Sequence, residues 1–235
     1  RLPSSLRSGF CIGFAGLLFS ATCSAAPELQ IAKLQPVTLQ PLLQQATAPS
    51  HEAAIALAAG GNFRAASEIM VQLVLQSPQR RDYWLNWGDW ALAAGKTEQA
   101  IYAYNSILKL QPDNSHAHVN LILALALSGQ LASAENLRLM LDQQQPLSAK
   151  LRRNLGMAEQ LMGNCPAARA SLQQALQQTP QDANTWVALA RCQSAGEAEE
   201  SLRQAVKLQP DWQYPRTLLN SGVQQTAVAM PTSGR

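Results

Sequence analysis

Residues 81–114 read RDYWLNWGDWALAAGKTEQAIYAYNSILKLQPDN, and the architecture follows from them. Trp84, Trp87, Gly88 and Ala91 recur at helical spacing in the first half, and Ala100, Tyr104, Ile107 and Leu108 do so in the second. Nothing alternates with period two, so a strand reading fails. Gly95 separates the halves and Pro112 closes the second, because glycine accepts the left-handed conformation that ends a helix and proline cannot continue one. The stretch reads as a helical hairpin.

Beyond these residues the same marks return at a fixed period. Pro78, Pro112, Pro146 and Pro180 stand 34 residues apart, and Pro210 follows after 30. Gly61, Gly95, Gly129 and Gly163 fall midway, each followed five residues later by an alanine, Ala66, Ala100, Ala134 or Ala168, small enough to let two helices approach closely. Such self-similarity predicts stacked hairpins sharing one core, since no single hairpin can bury its apolar side alone.

Trp84, Trp87-Gly88, Ala100, Tyr104 and Pro112 stand at the signature spacing of the tetratricopeptide repeat, which residues 81–114 resemble closely. The resemblance extends over residues 47–80, 115–148, 149–182 and, shortened by four, 183–212. It implies an all-α fold, a right-handed α-solenoid of about five helix-turn-helix repeats. His118 and Arg152 stand where a large apolar residue is usual, so the first helices of their repeats are expected to pack less tightly. The last repeat keeps Trp186, Leu189-Ala190, Ala198, Leu202, Ala205 and Pro210 on either side of a deletion near Gly196, and reads as a repeat with a trimmed turn. Residues 213–221 are expected to cap the end of the array. Most of the aromatics belong to the core, with Trp90 and Tyr102 the candidates for exposure.

Hydrophobic residues make up 47% of the chain and charged ones only 14%, so the polar role falls largely to 26 glutamines. The 18 basic and 15 acidic side chains are scattered without a lysine or arginine run, which argues against a nucleic-acid partner. The amino terminus carries a signal of another kind. Arg1 and Arg7 precede a low-charge apolar run from Phe10 to Ala21 and then small residues, the three parts of a secretory signal in order. Residues 1–25 are read as that signal, with cleavage after Ala25, and a few residues are expected upstream of Arg1. The run is shorter than the roughly 20 residues a spanning helix needs, so membrane contact is expected only through an uncleaved signal or a lipid anchor. Cys23 is the lipid candidate, although Ser20 and Thr22 stand where that processing favours leucine and a smaller residue. Residues 26–46, with Pro27, Pro36 and Pro41 among glutamines, form a linker, and residues 222–235 read as a disordered tail. The expected location is the bacterial periplasm or envelope.

No catalytic constellation is legible. His116 and His118 lie two apart on one helix and face different ways, and His51 belongs to another repeat, which leaves no metal-ligand pattern. A phosphate loop, a nucleophile elbow and a His-Glu zinc helix are all missing from the sequence. No cofactor or metal is expected, and the chain is read as a binding protein and not as an enzyme. After signal removal two cysteines remain, Cys165 and Cys192. In the repeat architecture they fall on the same edge of the solenoid, so they could form a disulfide, which an exported protein permits, or stay as two small buried side chains.

In the family the first helix of each hairpin lines a concave face. By that resemblance the inward positions are Asp82, Leu85, Asn86, Asp89 and Leu92; His116, Val119, Asn120, Leu123 and Ala126; Lys150, Arg153, Asn154, Met157 and Gln160; and Asn184, Val187, Arg191 and Ser194. Asn86, Asn120 and Asn154 recur every 34 residues. Two readings of them stand side by side: an amide can donate to and accept from an extended peptide, or it can bond to the neighbouring repeat. Asp82 and Asp89 make the earlier half of the groove acidic, while Lys150, Arg153 and Arg191 make the later half basic. The carboxylate-clamp pattern of chaperone-binding repeats is incomplete, because the repeat at 47 lacks its first lysine and asparagine. The expected partner is a protein or an extended peptide segment.

Asn120-Leu-Ile-Leu-Ala-Leu-Ala-Leu-Ser-Gly and Arg153-Asn-Leu-Gly-Met-Ala are similar to segments of the tetratricopeptide lipoproteins of tight-adherence (Flp) pilus assembly. That similarity implies an exported scaffold supporting assembly of an envelope machine such as a pilus or secretion apparatus. The alternative is a periplasmic accessory or maturation factor for an enzyme system, in cofactor assembly or cell-wall synthesis.

Overall fold

The structure is a computed structural model that describes residues 49–141 and 146–221. The signal segment 1–25 with Cys23, the linker 26–46 and the tail 222–235 lie outside the described residues. Those described carry eleven α-helices and no strand: α1 (His51–Ala59), α2 (Phe63–Gln76), α3 (Arg81–Ala93), α4 (Thr97–Leu110), α5 (Ser115–Leu127), α6 (Leu131–Met140), α7 (Ala149–Leu161), α8 (Cys165–Gln178), α9 (Ala183–Ala190), α10 (Ala195–Leu208) and α11 (Gln213–Asn220). The first ten form five successive hairpins, and α11 packs on α10 at the carboxy-terminal end.

Local chemistry sets the ends of these helices. Ser50, Asn62, Asn114, Ser148, Asn164 and Asp182 each accept a main-chain N–H of the first turn of the helix they precede, satisfying donors that have no partner inside it. The first helices of four hairpins stop at glycines with positive φ, Gly61, Gly95, Gly129 and Gly163. Around Gly95 the Lys96 N–H donates to the Ala91 carbonyl at 2.8 Å and the Gly95 N–H to Leu92 at 3.0 Å, a pairing that needs the left-handed residue between them.

A second recurring device holds three of the proline corners. Trp84 Nε1 donates to the Pro78 carbonyl at 2.7 Å and Trp186 Nε1 to Pro180 at 2.8 Å. His118 occupies the same place in its repeat, and its Nε2, in the tautomer protonated there, donates to Pro112 at 2.7 Å. The imidazole thus reproduces the indole contact, and the looser packing expected for that helix is not found. Nine of the thirteen residues of α5 are buried, a larger number than in any other helix of the array. Arg152, at the equivalent position of the next repeat, instead donates to Gln174 of α8.

Two hairpins depart from the regular pattern. Helix α6 has 10 residues where α2, α4, α8 and α10 have 14, and it ends with Leu139 and Met140 exposed. Helix α7 packs on α5 and α8, while the Arg138 guanidinium of α6 reaches the buried Glu159 of α7 at 3.9 Å. Burial pushes the Glu159 carboxyl above its ordinary pKa against the hydrogen bond from Ser171 and the Arg138 charge. In the last hairpin the deletion falls on the helix and not on the turn. Helix α9 has 8 residues against 13 in α7, while the connection to α10 is one residue longer than that between α7 and α8. With no glycine there, Ser194 starts α10 through a reciprocal pair of bonds with Glu197.

Close helix approach is enforced at Gly88, where an added Cβ would lie 2.5 Å from the Tyr104 ring, itself fully buried. Gly196 in the first turn of α10 has open space around it. Alanine at Gly88 is therefore expected to lose about 1–2 kcal/mol of stability in spite of its better helix propensity. Alanine at Gly196 should gain about 0.5 kcal/mol. Chemical denaturation of the two variants checks the opposite signs.

Candidate functional site

Asp89 of α3 stands where the first helices of three hairpins meet. Its Oδ1 accepts from Tyr104 Oη of α4 at 2.8 Å and from Asn120 Nδ2 of α5 at 2.8 Å. His116 Nε2 of α5 lies 3.0 Å from Oδ2, and Lys150 Nζ of α7 lies 3.7 Å from the same oxygen. Asn154 Nδ2 of α7 then donates to Asn120 Oδ1 at 2.9 Å. Burial raises the Asp89 pKa, but the His116 hydrogen bond and the charges of His116 and Lys150 outweigh it, so the carboxyl titrates below its ordinary value. Burial and the adjacent Asp89 charge push the Tyr104 hydroxyl well above its own. The phenol stays a donor and the carboxylate an acceptor, which is the arrangement their bond requires.

In this structure the asparagines bond across the repeat boundaries, the second of their two readings. Asn120 and Asn154 are buried and bonded to each other across the repeat boundary, and Asn86 Nδ2 lies 2.9 Å from His51 Nε2 of the preceding repeat. Their amides hold neighbouring repeats together. The expected split into an acidic and a basic half is also corrected. Lys150 faces Asp89, and Arg153 Nη1 is bound to Asp182 Oδ2 at 2.6 Å. Arg191 Nη2 lies 2.6 Å from Tyr214 Oη, and Asp82 is paired through both oxygens with Arg80. Lys150 and Asp89 pair across first helices, whereas Asp82, Arg153 and Arg191 are bonded to groups outside the groove positions.

Of the remaining groove positions, Leu123, Val119 and Val187 are buried in the core and offer no surface. Leu85, Asn86, Asp89, Met157 and His116 are half-buried, and the Lys150 side chain is 59% exposed, the most open cation of the cluster. Asp182 was missed as a site residue, although its place just before α9 marks it as a helix cap; it accepts from Thr185 and Arg153 as well as from the Asn184 N–H. Tyr102 is 40% exposed and Trp90 half-buried. Cys165 and Cys192 are joined, with sulfurs 2.12 Å apart and Cα atoms 5.2 Å apart.

Profiles described as tetratricopeptide repeat match residues 51–115 and 153–215 in one case and 91–155 in the other. The chain belongs to the tetratricopeptide repeat family. With its stacked hairpins, this makes it a right-handed tetratricopeptide α-solenoid. Its fold is similar to that of TTC0263, a thermophilic TPR protein of Thermus thermophilus, at 21% identity and a TM-score of 0.61, covering 74% of this chain and 97% of that one. It is also similar to PilW, described as a widely conserved type IV pilus biogenesis factor, at 19% identity and TM-score 0.59, covering 72% and 80%. Human IFIT1, solved as a dimer with PPP-AAAA, matches at 18% identity and TM-score 0.62 over 79% of this chain and 49% of that one. No curated protein sequence matches the chain. At 18–21% identity these likenesses show the fold alone.

Repeat proteins of this family are generally non-catalytic scaffolds, and the chain is a TPR scaffold that binds protein or peptide. Among the described residues no helix is long and apolar enough to cross a membrane, and no group of three or more His, Cys, Asp or Glu side chains could hold a metal ion.

The depressed Asp89 pKa carries a sign. The stability it supplies is present above the ordinary carboxylate value, about 3.9, and is lost as pH falls through the lower folded value. Asp89→Asn presents an amide to two donors and is expected to cost about 1–3 kcal/mol at neutral pH. Urea unfolding over a pH series should show the gap to the parent closing below about pH 4; a gap independent of pH would deny the carboxylate this role.

Proposed function

We propose that the chain is an exported scaffold that holds a segment of another protein against the face formed by α3, α5 and α7 and supports assembly of an envelope machine such as a pilus or secretion apparatus. The observation that carries this reading is the Lys150 side chain, 59% exposed although its ammonium lies 3.7 Å from Asp89, on a face that keeps Leu85 of α3 and Met157 of α7 half-buried. Such a patch suits an apolar segment bearing a carboxylate, with the cation setting its orientation. The signal-like residues 1–25 support export, and so does the Cys165–Cys192 bond, because disulfides persist in oxidising compartments. The likeness to Flp pilus lipoproteins in residues 120–129 and 153–158 supports the choice of machine, and PilW, a pilus biogenesis factor, has a similar fold.

Affinity capture from envelope extracts, read by quantitative mass spectrometry, tests this. Pilus or secretion subunits are the expected prey, and Lys150→Ala should reduce their recovery about fivefold, roughly 1 kcal/mol of binding, while losing under about 1 kcal/mol of stability with the 3.7 Å Asp89 contact. Recovery of cofactor-assembly or cell-wall enzymes would favour the accessory reading. Capture indifferent to Lys150→Ala would remove this patch from the binding face.

A further inference from the structure

The fully buried apolar residues fall into three clusters, joined only through half-buried side chains, Met157 between the first and the middle one and Trp186 between the middle and the last. One cluster runs from Ala54 of α1 to Ala158 of α7 and takes in the first three hairpins and α7. A separate cluster of Ala183, Val187, Ala190, Ala198, Leu202 and Ala205 is closed by Trp212, Tyr214, Leu218 and Leu219 of the cap, so the last hairpin and α11 bury their apolar faces against each other. Between the two lies a junction of only four buried residues, Leu172 and Leu176 of α8 with Ala188 and Leu189 of α9. The packing of α8 on α9 is thinner than that of α2 on α3 or of α4 on α5. The cause lies in α9, which is five residues shorter than α7 and has lost the last turn that would extend the contact. Polar bonds take over part of the seam, Arg153 to Asp182, Gln160 Nε2 to the Ala188 carbonyl at 3.1 Å, and Arg169 to Glu197.

The single covalent link crosses the described array at this seam. Cys165 opens α8 and Cys192 follows the truncated end of α9. We infer that residues 183–221 form a terminal module folded separately from the first four hairpins, and that the Cys165–Cys192 bond fastens it to them, so that oxidation completes the carboxy-terminal end of the array. Forming the bond takes two thiols to a disulfide with loss of two electrons and two protons, which an external disulfide oxidant accepts in becoming a dithiol. An added dithiol reverses the exchange. A recess lined by Pro166, Arg169, Ala170 and Gln173 opens beside the two cysteines and gives a reductant access. Gln160 also places its Nε2 3.5 Å from Cys192 Sγ, so the seam's polar bonds and its covalent one share a side chain. The division of the fold does not rest on the proposed binding face, which lies on α3, α5 and α7 within the first four hairpins.

Hydrogen exchange of the full chain, oxidised and then reduced with dithiothreitol, tests the inference. The bond closes a loop of 27 residues, a size whose closure entropy corresponds to a factor on the order of a hundred in the opening equilibrium. Reduction is therefore expected to lower protection in α9, α10 and α11 by roughly that factor while α3, α4, α5 and α7 keep theirs. A Cys165→Ser/Cys192→Ser chain should show the same split. Equal loss of protection in every helix, no loss anywhere, or a wholly unfolded double variant would each overturn the inference, because each denies that the first four hairpins stand without the bond.

Discussion

One half-buried carboxylate sets the register of the middle of this array. Asp89 belongs to the second hairpin, takes a hydroxyl from its own second helix, an amide and an imidazole from the third hairpin, and the charge of a lysine from the fourth. Helix-on-helix packing alone tolerates small slides and rotations, since one aliphatic contact is much like the next. A carboxylate that must receive donors from successive repeats tolerates far less, because each displacement leaves a buried polar atom without its partner. The Asn120–Asn154 bond carries the same constraint one boundary further.

That constraint also decides what the face can offer a partner. Groups bonded to neighbouring repeats have less to offer a ligand, and what stands most open on this face is the Lys150 side chain, with Leu85 of α3 and Met157 of α7 half-buried. Beyond α7 the ladder stops: the place equivalent to Asn154 is taken by Ala188, which is buried at the junction between the last two hairpins. The seam begins where the polar register ends, and the disulfide lies there.

The hairpins were legible in the sequence because each is fixed by residues whose effect is local. Proline, the positive-φ glycines and the helical spacing of Trp84, Trp87 and Tyr104 act within a few residues, so their period survives translation into structure. The partners of Asp89 were not legible, since Tyr104, His116 and Lys150 lie 15, 27 and 61 residues away along the chain and meet it only once the hairpins stack. The same holds for the pairing of Arg153 with Asp182. His118 was misjudged for a different reason: its size was weighed and its N–H was not, although the N–H is what the Pro112 carbonyl needs. The deletion in the last repeat could be counted but not placed, because removing residues from α9 or from the turn leaves the flanking signature equally intact.

If polar register holds the array, the inter-repeat amide bonds must be energetic ties. A double-mutant cycle on Asn120→Ala and Asn154→Ala, measured by equilibrium unfolding, reads that directly. If the 2.9 Å bond between them is a tie, the two losses should fail to add, with a coupling of about 1 kcal/mol or more. Losses that add within about 0.3 kcal/mol would mean that the two asparagines act independently and that packing alone sets the register.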